Sequence, residues 1–189
     1  MSLFVILPNA RLRKVPLQLV LKVLTKMVKD GVIQDYVIGG ASALLYFSKP
    51  TFTEDIDVFV YTTASPSTLI DLSPIYNYLV KQKKALVQGE HILVEGYPVQ
   101  FLIPYDDLSR EAFEKAITVS LHHSRFKLFD LEYLMAIMIQ LGKPKYLERL
   151  RILLEDKTFN EKKLLSILSR FRLSRKWDKM KKNLIVNYE

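Results

Sequence analysis

The stretch Tyr36-Val37-Ile38-Gly39-Gly40-Ala41-Ser42, followed after an apolar patch by Thr53-Glu54-Asp55-Ile56-Asp57-Val58-Phe59-Val60-Tyr61, decides how this chain is read. A short apolar run ends in a glycine pair, and a second β-rich run carries two aspartates in an Asp-x-Asp arrangement. Side chains alternate across a strand, so Asp55 and Asp57 project from one face while Ile56, Val58 and Val60 form the opposite, buried face. Two adjacent carboxylates repel unless a cation sits between them. Mg²⁺ (or Mn²⁺) suits the position, because it combines a few carboxylates with waters and substrate phosphate oxygens. Glycines let backbone approach a ligand closely, and a helix opening at Ala41 aims free N–H groups at an anion. Together the parts imply a site for a divalent ion and a triphosphate. Either half alone has a plainer reading, as a solvated carboxylate pair or a turn.

The glycine pair, the spacer with Ala41, Ser42, Ala43, Leu44 and Leu45, and Thr53-Glu54-Asp55-Ile56-Asp57 on the next strand resemble the polymerase-β-like nucleotidyltransferase superfamily. They are most similar to its minimal prokaryotic branch, which includes toxins of the AbiEii type. The resemblance covers Gly39 to Ile103 and continues more weakly from Asp130 to Asp156. It implies an α/β (α+β) fold, with a mixed β-sheet core, flanking helices and a C-terminal helical lobe. It implies that Gly39, Gly40 and Ser42 hold nucleotide phosphates and that Asp55 and Asp57 bind Mg²⁺. For Ser42, capping the helix is an equal alternative. A third carboxylate, expected on the strand Pro98 to Ile103, completes the family's metal site and helps activate the attacking hydroxyl.

Three positions depart from that pattern. The strand reads Val99-Gln100-Phe101-Leu102, so Gln100 stands where the third acid is expected. Its amide can offer a carbonyl oxygen to a metal but carries no charge and accepts no proton. Glu95, Asp106 and Asp107 are substitutes without a spacing argument. Met138 occupies the place of a helix lysine. In Gly142-Lys143-Pro144-Lys145-Tyr146, a tyrosine replaces an aspartate. Lys143 and Lys145 either neutralise a triphosphate or are solvated charges in a helix–helix turn.

The 189 residues suit one domain with an extension or two small lobes, here a core over 1–129 and a helical lobe over 130–189 packed on it. No cysteine is present, which excludes disulfides and thiolate metal sites and fits a reducing, cytoplasmic setting. Leu3 to Leu7 is too short for a secretory h-region and reads as a strand or core contact. No apolar run approaches the ~20 residues needed to span a membrane. Up to Leu141 there are 14 Lys/Arg against 14 Asp/Glu, and beyond it 14 against 6, so the whole excess of +8 lies in the C-terminal quarter. Such asymmetry points to a polyanion. Trp177 with Arg172, Arg175, Lys176, Lys179, Lys181 and Lys182 either stacks on and neutralises nucleic acid or is a core tryptophan on a basic amphipathic helix.

Spacing predicts a helix over Pro16 to Lys29, a strand over Tyr36 to Ile38, a short helix over Ala41 to Phe47 and a central strand over Glu54 to Tyr61. Ser73-Pro74 reads as the cap and first turn of a helix reaching Lys84. His91 to Glu95 and Tyr97 to Ile103 read as a hairpin across Gly96, then come a helix over Asp107 to Lys115 and a strand over Ile117 to Leu128. Asp130, Pro144, Asn160 and Ser174 open four further helices. Leu164, Leu165, Ile167 and Leu168 should face inward. His122-His123 lacks metal-ligand spacing and reads as surface or strand.

Two functions follow. One is Mg²⁺-dependent transfer of a nucleoside monophosphate from an NTP to a hydroxyl, with RNA or tRNA as acceptor, Lys143 offsetting leaving-group charge, and an antitoxin as protein partner. The other is a catalytically degenerate module of the same fold that binds nucleotide or RNA.

Overall fold

β2 (Ile56–Thr62) runs through the middle of a seven-stranded sheet, with Ile56, Val58 and Val60 fully buried on one face. The computed structural model describes residues 17–47, 55–62, 71–82, 85–88, 91–121 and 124–186. The readings placed on Leu3 to Leu7, Thr53, Glu54 and His122-His123 lie outside them. β2 is flanked by β1 (Ile33–Ile38), antiparallel to it, and by β5 (Tyr97–Leu102), parallel to it. Beyond β5 lie β4 (His91–Val94) and β3 (Ala85–Gln88), both in antiparallel pairing. Beyond β1 lie β7 (Ser124–Leu128), parallel to it, and β6 (Ile117–Leu121). The order is β3-β4-β5-β2-β1-β7-β6.

Local sequence explains most of these elements. Glu95 (φ 52) and Gly96 (φ 85) both take left-handed backbone, the combination a tight two-residue hairpin demands, so β4 and β5 pair across them. The single strand expected over Ile117 to Leu128 is instead the antiparallel hairpin β6–β7, with Ile117 opposite Leu128. β3 has no counterpart in the sequence reading. Helix α1 (Leu17–Lys29) buries Leu17, Val20, Leu21, Leu24 and Met27 and packs on β1 and β7. α2 (Gly40–Phe47) leads from β1 toward β2. α3 (Ser73–Lys81) starts from Leu72 and has no side-chain cap, a correction to the capping role given to Ser73. Asp71 instead accepts the Ser73 N–H at 2.8 Å. α4 (Asp107–Glu114) opens with a reciprocal box between Asp106 and Ser109.

Four helices close the chain. α5 (Leu131–Leu141) buries residues around most of its circumference, as its composition requires, because it packs against α2, α4, α6, α7 and α8. Asp130 caps it and Gly142 ends it. α6 (Pro144–Asp156), α7 (Glu161–Arg170) and α8 (Ser174–Val186) follow. Glu132, a buried acid, accepts the Asn160 N–H at 2.7 Å and pairs with Lys163 at 3.0 Å, so one carboxylate fixes the start of α7 against α5. Leu165 is 44% exposed, against the inward position expected for it, whereas Leu164, Ile167 and Leu168 are buried. Trp177 is 2% exposed and belongs to the hydrophobic core, which settles its two readings in favour of packing.

Candidate active site

The turn between β1 and α2 is built around Asp57. The Gly39 N–H donates to the Asp57 carbonyl at 2.8 Å, which fixes the turn to β2. Gly40 has φ +53, and a Cβ placed on it would lie 1.6 Å from Asp57 Oδ2. No side chain other than hydrogen fits there. The Asp57 carboxylate accepts the backbone N–H of Ala41 in the first turn of α2. The anion-attracting end of that helix is thus met by the protein's own carboxylate. Gly39 has a different reason to be glycine. A Cβ on it would meet the Phe59 ring at 2.5 Å and the Phe129 ring at 3.3 Å, two rings whose centroids are 4.6 Å apart. Ser42 is buried, and its hydroxyl donates to the Asp55 carbonyl at 2.9 Å, tying α2 to the residue that precedes β2.

Asp57 pairs in register with Gln100 across the parallel β2–β5 ladder. Neighbouring strands lie about 4.8 Å apart, and paired residues present their side chains to the same face. Gln100 is therefore beside Asp57. Among the described residues, no group of three or more His, Cys, Asp or Glu side chains forms a cluster that could hold a metal. Asp106 lines the same cavity, but its carboxylate is occupied by the Ser109 N–H at 2.7 Å. Burial raises its pKa, and the Ser109 hydrogen bonds outweigh that and hold it below the usual range. Asp107 is paired with Arg110 at 2.9 Å, and Glu95 sits in the β4–β5 turn.

Burial pushes the Asp57 carboxyl up to about 6, Asp55 adds to the rise, and Lys145 and Arg149 oppose it. The folded chain therefore holds this proton more tightly than the unfolded chain does. That contribution to stability is full below the ordinary carboxylate range and is lost as pH rises through about 6. A divalent ion bound there would supply positive charge where the proton has left. We expect the melting temperature of the ion-free protein to fall between about pH 5 and 7.5, and added Mg²⁺ or Mn²⁺ to recover it at the upper pH only. Asp57→Asn should flatten both responses. Thermal melts at several pH values check this, and an ion effect of equal size at both ends speaks against the carboxylate pair as its seat.

The wall facing Asp57 comes from α6. Lys143 precedes the helix, Pro144 opens it, and Lys145 and Arg149 follow one turn apart on one face. Both cations lie near the Tyr146 ring, with Lys145 Nζ 5.3 Å and Arg149 Cζ 5.7 Å from its centroid. Burial, then the charge of Asp57, push its phenol pKa up. These groups enclose a cavity of about 450 Å³, with Gly40, Asp55, Asp57 and Gln100 among its lining, together with Phe59, Tyr105, Met138, Lys143, Lys145, Tyr146 and Arg149. That volume lies within the range of small-molecule and cofactor sites.

The structure thus brings Asp55, Asp57, Gln100, Gly40 and Lys143 to one space, while Gly39 and Ser42 are not part of the lining. Arg149 and Tyr105 were missed in the sequence, and Tyr146 was noted there only as standing in place of an aspartate. The only signal for Arg149 was its spacing of four from Lys145. The basic residues of α8 lie outside the cavity lining. Arg172, Arg175 and Lys179 are exposed. Lys176 donates to the Gln140 carbonyl at 2.6 Å, at the end of α5, where a cation is favoured.

No protein-family model matches the sequence, and no curated protein matches it. Solved structures do. An antigenic nucleotidyltransferase-like protein from Paracoccidioides brasiliensis is 17% identical with a TM-score of 0.55, over 89% of this chain and 87% of that one. A protein from Thermotoga maritima described as a candidate nucleotidyltransferase is 17% identical with a TM-score of 0.44, over 72% of this chain and 91% of that one. No helix among the described residues is long and apolar enough to cross a membrane. At this identity a structural match speaks to fold and leaves chemistry to the residues, and the fold of this chain is nucleotidyltransferase-like.

Proposed function

We propose that the chain transfers a nucleoside monophosphate from an NTP to a hydroxyl acceptor, at the cavity between β2, β5, α2 and α6. The observation that carries this is the pairing of a carboxylate floor, Asp55 and Asp57, with a cationic wall, Lys143, Lys145 and Arg149. A triphosphate with a divalent counter-ion fits both sides at once. The donor set suits such an ion: two carboxylates on one face, with Asp57 held at about 6 by burial and by its neighbour's charge. Asp55 and Asp57 would hold Mg²⁺ or Mn²⁺, which supplies charge neutralisation of the phosphates. Gly40 leaves the room that the Asp57 carboxylate needs at the floor of the site, and Lys143 faces the leaving phosphates. The acceptor oxygen bonds to the α-phosphorus, the bond to the bridging oxygen breaks, pyrophosphate leaves with the electron pair, and the hydroxyl proton passes to solvent.

Gln100 accepts no proton, so the reaction lacks a base at that position. A general base contributes about 10²- to 10⁴-fold, and phosphoryl transfer depends chiefly on positioning and electrostatics. The expected enzyme is therefore slow. Gln100 beside Asp57, with Met138 in the cavity, equally favours a second reading, a catalytically silent module that binds nucleotide or RNA. The basic C-terminal quarter supports an RNA or tRNA acceptor, and residues 130–189 are read as the lobe that presents it. Kinship with AbiEii-type toxins, and an antitoxin as partner, belong to the same proposal.

Calorimetric titration of NTP, with and without Mg²⁺, tests the site. We expect the ion to strengthen binding at least tenfold and Asp57→Asn to abolish that gain. Equal affinities in all cases remove the metal–nucleotide reading. Label transfer from α-³²P NTPs to RNA then separates the enzyme from the silent module.

A further inference from the structure

Gln100 stands in register beside Asp57, so the carboxylate floor carries one negative charge fewer than a floor with three acids. Across the cavity, Lys145 and Arg149 project from one face of α6 toward the same carboxylate. We propose that Lys145 and Arg149 stand in for a second divalent ion, so that the site holds a triphosphate with one divalent ion and these two fixed cations, beside Lys143 at the leaving phosphates. This deepens the nucleotidyltransferase reading and rests on it.

Three observations carry the proposal. Two divalent ions sharing a phosphoryl group need carboxylates enough to bridge them. Among the described residues, no third acidic or histidine side chain joins Asp55 and Asp57. Two carboxylates with phosphate oxygens and waters are the ordinary ligand set of one Mg²⁺. The wall supplies what the floor cannot hold, since one divalent ion with a lysine and an arginine carries the same formal charge as two divalent ions. The cations are also placed in advance. The Tyr146 ring has Lys145 Nζ 5.3 Å and Arg149 Cζ 5.7 Å from its centroid, which restrains two long side chains before the phosphates arrive. Arginine suits the task because its planar fork meets two phosphate oxygens together.

The full chain is titrated with Mn²⁺ beside a non-hydrolysable NTP analogue, and bound ions are counted by electron paramagnetic resonance. Wild type should hold one ion per chain. The variant carrying Gln100→Asp, Lys145→Gln and Arg149→Gln should hold two, because the floor regains an acid and the wall loses its charges. Lys145→Gln with Arg149→Gln should weaken triphosphate binding about 100-fold, roughly tenfold for each charged contact, and nucleoside binding little. Two ions in wild type, one ion in the triple variant, or an unchanged triphosphate affinity in the double variant each overturn the proposal and leave the transferase reading standing. Nucleotide binding that needs no ion and is untouched by Asp57→Asn overturns both.

Discussion

Gly40→Ala should abolish ion-dependent nucleotide binding, and Gly39→Ala should not, although the two glycines are adjacent and read alike in sequence. At Gly40 an added methyl would overlap Asp57 Oδ2, at 1.6 Å, on a backbone with φ +53. The left-handed conformation costs a non-glycine residue about 1–2 kcal/mol, and overpacking about 1–3 kcal/mol more. The melting temperature should therefore drop by roughly 5–15 °C. The overlap can be relieved only by moving the Asp57 carboxylate off the first turn of α2 or by shifting that turn. Either motion separates Asp57 from its Ala41 hydrogen bond and from its position beside Gln100. Affinity for NTP with Mg²⁺ should fall about 100-fold, roughly tenfold each for the displaced Asp57 ligand and for the broken Ala41 contact that holds it. At Gly39 the obstacle is a ring edge, Phe59 at 2.5 Å, which can rotate at a cost in packing. That variant should melt earlier yet keep ion-dependent binding within a few-fold. Equal losses of binding in both variants would reduce Gly40 to a packing residue.

The same pair shows what a sequence can and cannot reveal about this site. Asp-x-Asp after Gly-Gly located the turn, the strand and the face, because side-chain alternation and glycine's backbone freedom are local properties. Residue type alone did not show that Gly39 answers to Phe59 and Phe129, or that Ser42 reaches back to the Asp55 carbonyl at 2.9 Å. Those partners come from the docking of α2 on β2, a tertiary event. The cationic wall was half legible. Lys145 reads either as neutralising a triphosphate or as a solvated charge in a helix–helix turn, Arg149 is not singled out by the sequence, and the docking of α6 on α5 turns both toward Asp57. Gln100 was locatable only through the resemblance, which sets an acid on the strand Pro98 to Ile103, and the parallel register of β5 on β2 then puts it beside Asp57. The division of Ile117 to Leu128 into β6 and β7 was not, because no glycine or proline marks the bend. Trp177 carried a basic neighbourhood in sequence that drew attention outward. In the fold its ring is in the core, with Lys181 Nζ 6.0 Å from the ring centroid.

That inward turn of Trp177 fixes which side of α8 is free to meet a polyanion. Arg175, Lys179 and Lys182 recur at helical spacing on the exposed side, and Arg172 stands just before them with φ 58. Lys181 is paired with Glu161 and Arg170 with Glu111, whereas Arg172, Arg175 and Lys179 form no ion pair with another described residue. Cations that already have a carboxylate gain little from a phosphate, so the binding charge should reside in the second group. Each phosphate neutralised on a single strand contributes about 0.7 log units of affinity per log unit of salt, and about 0.9 on a duplex. Changing Arg172, Arg175 and Lys179 together to Ala should flatten the salt slope of tRNA binding by roughly two to three units. With the affinities converging near molar salt, that difference is about three to four orders of magnitude in affinity at roughly 50 mM. NTP affinity should not change, because none of the three lines the cavity. Fluorescence anisotropy with a labelled tRNA across a salt series reads the slope directly. Identical slopes in wild type and the triple variant, or no binding by either at low salt, would make this side of α8 a solvated face. The proposed acceptor would then have to be something other than RNA, since the cavity itself places no requirement on the acceptor beyond a hydroxyl that reaches the α-phosphate.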